Sequence, residues 1–145
     1  MRAWLRGMCV LAAILGGGWK SGSAQQPNPR AAPRVTDLAG SRDLPGLFTQ
    51  RLVMPAGFCS PVHIHNQDLH GLVMRGDLVM GLRDSTGRLR VREDPVGSFV
   101  AVPAGQPHLE GSRVETEVHI SGIGPLRTTA LDSATPAQCT PGKDR

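Results

Sequence analysis

The sequence contains no tyrosine, and its two tryptophans, Trp4 and Trp19, both stand within the first two dozen residues. Beyond them the only aromatic residues, histidine aside, are Phe48, Phe58 and Phe99. Such a chain lacks the stacking faces on which single-stranded nucleic acid is held. Its surplus of positive charge is also concentrated at the start. Arg2, Arg6 and Lys20 are three of the 16 basic side chains, and residues 1–24 hold no acid, so the remainder carries 13 basic against 12 acidic groups. No basic stripe is left to track a phosphate backbone, and no nucleic-acid partner is expected. Long hydrophobic runs are missing too. The run Met8–Leu15 is short and followed by glycines, which argues against a membrane span. Helical periodicity of useful length does not occur after residue 24.

What is present at the start has the layout of a secretory signal. Arg2 and Arg6 form a positive n-region, Met8–Leu15 an apolar core, and Ser21-Gly22-Ser23-Ala24 a small-residue cleavage site. Residues 1–24 are therefore read as a signal peptide, with a periplasmic or secreted product and no membrane association after cleavage. Cys9 lies too early for a lipoprotein site. Of the three cysteines, Cys59 and Cys139 remain in the mature chain. Export permits a disulfide between them. Two inert thiols, or a Cys59 thiol near a metal four residues before His63, are the other readings. Residues 25–45, with Pro27, Pro29 and Pro33, read as an extended N-terminal arm. Residues 131–145 read as a flexible C-terminal tail. The single globular domain is placed at 46–130, a short length that favours an efficient or shared core.

Within it the rhythm is that of short strands and turns. Phe48–Met54 ends at Pro55-Ala56-Gly57, and Ser98–Val102 ends at Pro103-Ala104-Gly105. Leu72–Met74 and Leu78–Met80 flank Arg75-Gly76-Asp77, the spacing of a hairpin. Arg88–Arg92 and Val114–Ile120 alternate strictly, and Arg88, Arg90 and Arg92 are expected to face solvent. Many short strands with Gly and Pro turns indicate an all-β sandwich or barrel.

Two histidine motifs give the chemistry. The first runs Gly57, five residues, His63, one residue, His65, three residues, Leu69, six residues, Gly76. The second runs Gly97, five residues, Pro103, one residue, Gly105, two residues, His108, three residues, Ser112. In a strand, His63 and His65 share one face because side chains alternate with a period of two. His108 comes from a separate segment, and a closed barrel lets three such nitrogens meet. The pair of motifs resembles the cupin superfamily, in particular small exported single-domain cupins, over about residues 46–127. The resemblance implies a cupin-type β-barrel (double-stranded β-helix or jelly roll). It also implies one divalent transition metal (iron, manganese, zinc, nickel or copper) on His63, His65 and His108.

The first motif departs from the family pattern at Leu69, where a metal-binding glutamate normally stands. Three neutral imidazoles would leave the ion its full charge and more open positions. His70 is a candidate replacement ligand, although in a regular strand it points away from the face of residue 69 and needs a bulge to be re-aimed. Asp68 or Gln67 from the preceding loop, and His119 from a later strand, are further candidates. Glu110, two residues after His108, is a candidate general base, whereas Glu115 and Glu117 read as surface carboxylates. The resemblance implies a metal-dependent oxygenase or isomerase of a small polar molecule. The alternative is a non-catalytic module that binds a metal or small ligand through a degenerate site. A homodimer is expected, since small barrels of this kind pair through exposed strand edges.

Overall fold

The computed structural model describes residues 32–132 and 136–139. The signal peptide expected at 1–24 lies outside these residues. No helix among the described residues is long and apolar enough to cross a membrane.

Ten strands follow one another: β1 (Arg34–Ala39), β2 (Gly46–Met54), β3 (His63–His65), β4 (Leu69–Arg75), β5 (Asp77–Arg83), β6 (Leu89–Pro95), β7 (Phe99–Val102), β8 (His108–Ser112), β9 (Thr116–Gly124) and β10 (Thr128–Ala130). They form two five-stranded sheets ordered β1-β2-β9-β4-β7 and β10-β3-β8-β5-β6, with every strand pair antiparallel. This is the two-sheet jelly roll that the strand rhythm and the motif resemblance predicted.

The inner faces are apolar. Met54, Val73, Leu78, Met80, Val100, Val102 and Val118 form one buried cluster between the sheets. The parity follows from strand geometry. In β4, Leu69, Gly71 and Val73 are buried while His70, Leu72 and Met74 are exposed.

Three sequence expectations change. First, Arg75-Gly76-Asp77 does not close a hairpin. β4 pairs with β7 and β9, whereas β5 pairs with β6 and β8, so the chain turns a corner from one sheet into the other. Gly76 makes this corner at φ +72°, where a Cβ would lie 2.6 Å from Thr116 Oγ1. Second, the segment read as an arm contributes β1, which pairs with β2 from Arg34↔Val53 onward. All six β1 residues are exposed, so the strand carries little of the hydrophobic signal by which strands are read.

Third, the C-terminal segment is anchored. Pro136–Cys139 forms a short 3₁₀ turn, and Cys139 is disulfide-bonded to Cys59. It covers the back of the second sheet, where Val62, Val79, Leu109 and Cys139 form a separate buried cluster. This explains why Leu78, Val79 and Met80 are buried in succession: Leu78 and Met80 face the barrel interior, and Val79 faces the segment behind. Gly111 makes room for the disulfide, since a Cβ there would lie 2.6 Å from Cys139 Sγ.

Candidate metal centre

The antiparallel register of β3 on β8 sets His63 directly opposite His108. His65 follows two residues along β3 and projects from the same face. All three are buried, and one ring nitrogen from each lies within 4.8 Å of the others. The ring centroids are 4.3 Å apart for His63 and His108, 4.8 Å for His63 and His65, and 5.0 Å for His65 and His108.

Hydrogen bonds fix the orientation of each ring. His63 Nδ1 lies 2.8 Å from the carbonyl of Pro61, and His108 Nδ1 lies 2.8 Å from the carbonyl of Gln106. A carbonyl only accepts, so Nδ1 carries a proton, and Nε2 is the nitrogen that offers a lone pair in the neutral ring. In both cases the acceptor is two residues upstream. His65 Nδ1 lies 3.0 Å from the Thr128 hydroxyl, brought alongside by the pairing of β10 with β3. That hydroxyl also accepts a hydrogen bond from the Arg42 guanidinium at 3.3 Å. Fixing one nitrogen by a supporting partner leaves the other as the coordinating atom, as in known histidine metal sites.

Two of the rings, His65 and His108, are also held toward the neutral form. Burial, then the neighbouring His63, His108 and Arg42, lower the His65 pKa to about 4. Burial lowers that of His108 as well, with His63 acting in the same direction and the Gln106 carbonyl and Glu110 opposing it. Neutral imidazoles are the form that binds a metal ion. The donor set and its orientation therefore fit a divalent ion.

Two cavities meet at the histidines. A small apolar one of about 60 Å³ lies inside the barrel, with His65, His108 and Glu110 on its wall beside Leu69, Val102 and Ile120. A larger one of about 270 Å³ is lined by His63, His65 and Glu110 together with Arg42, Gln50 and Thr128. The space next to the histidines is thus roomy and partly polar.

The other candidate residues fall in different places. Leu69 is buried against Phe48 and Leu126, and its Cδ2 occupies the space that Gly122 leaves open. His70 is exposed on the opposite face of β4 and stacks on Phe99, with centroids 5.5 Å apart. The β4–β9 register is regular at His70↔Ser121 and shifts only between Val73 and Arg75, so no bulge re-aims it. Asp68 accepts a hydrogen bond from the Ala104 backbone, and His119 lies beside Glu117 at 3.2 Å. Neither joins the histidine cluster. The Cys59 thiol reading is excluded by the disulfide. Glu110 is brought in, with Oε2 3.5 Å from His63 Nε2. Arg42 and Thr128 were not legible as site residues, because only the β10–β3 pairing and the path of the β1–β2 loop bring them there.

Residues 20–133 match the family described as a domain of unknown function, DUF4437. The chain belongs to this cupin-like family. No curated protein matches it. Among solved structures, this cupin is similar to a cupin-like protein from Thermotoga maritima, at 21% identity and TM-score 0.60, covering 77% of this chain and 85% of the other. It is also similar to the DMSP lyase DddQ from Ruegeria pomeroyi (18% identity, TM-score 0.58, 68% and 51% covered). A third is the oxalate decarboxylase from Bacillus subtilis (18% identity, TM-score 0.54, 60% and 24% covered). This cupin therefore spans about half of the lyase chain and a quarter of the decarboxylase chain. At these identities the likeness is one of fold.

Proposed function

We propose that this cupin holds one divalent transition metal through Nε2 of His63, His65 and His108 and acts on a small polar molecule as a metal-dependent oxygenase or isomerase. The observation that carries this reading is the set of three converging, oriented imidazoles beside a cavity of about 270 Å³. Solved structures of similar fold include oxalate decarboxylase, oxalate oxidase and a DMSP lyase, which supports an enzymatic role. The bound ion supplies Lewis-acid or redox chemistry. The chain supplies the three nitrogens, the hydrogen bonds that aim them, and walls that limit access of bulk water. Arg42 on the cavity wall has no carboxylate within 4 Å among the described residues, which favours an anionic ligand such as a small organic acid.

Elemental analysis of protein purified without chelators tests the reading. One transition metal per chain is expected, and His63→Ala or His108→Ala is expected to remove it while the fold persists. A wild-type protein that carries no metal and takes up none on titration ends the proposal.

The second reading, a non-catalytic binding module, is favoured by Leu69, whose side chain serves packing where the family normally has a ligand. Metal binding without turnover across a panel of small organic acids would select it. Export to the periplasm or beyond is supported by the Cys59–Cys139 disulfide, a bond that persists in oxidising compartments. Homodimerisation is supported by exposed apolar side chains on the outer face of the first sheet, where Leu47 pairs with Ile123 and Leu72 with Phe99.

A further inference from the structure

Residue 69 is committed to the core. Leu69 packs with Phe48 and Leu126 and lies against Gly122, so the first motif offers no carboxylate to a metal. A carboxylate nevertheless reaches the site from another strand. Glu110 follows His108 by two residues on β8, so both side chains point into the barrel while Leu109 between them points to the back of the sheet. Its Oε2 lies 3.5 Å from His63 Nε2, long for a hydrogen bond, and its carboxylate has no hydrogen-bond partner among the described residues. The Glu110 backbone is pinned on both sides: its N–H donates to Ser60 Oγ, and its carbonyl accepts from the Ser60 N–H. The side chain is 23% exposed and lines both cavities that meet at the histidines. A partly buried carboxylate with no hydrogen bond, set beside three inward-facing imidazole nitrogens, is an arrangement that a cation among them would satisfy.

We propose that Glu110 is the carboxylate ligand of the metal in this protein, delivered from β8 beside His108 in place of the acid missing at residue 69. The ligand set is then three imidazoles and one carboxylate, with the charge of the ion partly offset, but with the carboxylate on a different wall of the barrel. Leu69 lines both cavities, and the larger one, which Glu110 shares with His63 and His65, also holds Arg42 on its wall.

This rests on the metal-binding reading above, and the test separates the two. Full-length mature wild type, Glu110→Gln and Glu110→Ala are titrated with Co(II) and with Zn(II) under chelator competition, and the visible absorption of the Co(II) forms is recorded. Glu110→Gln keeps the size of the side chain, so it serves even if Glu110→Ala folds poorly. Removal of Glu110 is expected to weaken binding at least about tenfold, the lower end of what loss of a mere supporting residue costs. It is also expected to shift the Co(II) bands, because a ligand has been exchanged. Unchanged affinity in Glu110→Gln overturns the proposal. So does weakened affinity with unchanged bands, which would make Glu110 a nearby charge only. A wild type that binds neither ion overturns the metal site itself.

Discussion

Burial and two neighbouring imidazoles hold the His65 pKa near 4, against 6.5 for an unperturbed histidine. Between those values the unfolded chain binds a proton that the native chain does not. Stability of the metal-free protein therefore rises with pH through this window and is lost as pH falls from about 6.5 toward 4. Thermal unfolding at pH 7.5 and pH 5 should show a lower midpoint at the acid value, and His65→Gln should reduce the difference. An equal difference in wild type and variant would show that carboxylates elsewhere dominate. At this scale the three histidines were legible because His-x-His needs only strand parity, and the carbonyl acceptors of His63 and His108 lie two residues away in sequence. Thr128 was not legible: it holds His65 across 63 positions of sequence, and no local pattern encodes such a contact.

The strands were mostly visible in advance, but their partners were not. The run from Leu72 to Met80 shows apolar triplets around a glycine turn, and that pattern is the same whether the flanking strands pair or part. They part, because β9 and β7 occupy the two edges of β4 and β6 and β8 those of β5. The corner is demanding at Gly76, whose positive φ and close approach to Thr116 and the Glu115 carbonyl leave no room for a Cβ. Gly76→Ala is expected to cost about 1–3 kcal/mol, the range for a residue forced into a sparsely populated backbone region. Denaturant unfolding measures it, and a cost near zero would mean the corner relaxes. The β5–β6 connection is a true hairpin. Asp84 closes it by accepting from Thr86 and Arg88, and the Thr86 hydroxyl, with Arg90, holds its carboxyl down to about 2.

Across the whole molecule, the disulfide closes a separation of 80 residues and pins the C-terminal segment over Val62, Val79 and Leu109. Removing it in a Cys59→Ala/Cys139→Ala protein should lower stability by about 2–5 kcal/mol, the range for loss of a native disulfide from a small secreted domain. Urea unfolding under oxidising conditions reads the loss directly. For the proposed homodimer, Phe99→Glu or Ile123→Glu should yield a monomer by light scattering, since either places a charge on the exposed apolar face. A wild type that is monomeric at high concentration removes the dimer. The sequence by itself determined the all-β character, the inward parity of each strand and the pairing of His63 with His65, because these depend on a period of two and on turn chemistry a few residues long. Tertiary structure alone decided that β4 and β5 part, that Cys139 returns to Cys59, that Leu69 is spent on packing and that Glu110 faces His63. Each of these depends on which distant segments close against one another, and closure is settled by burial across the whole barrel.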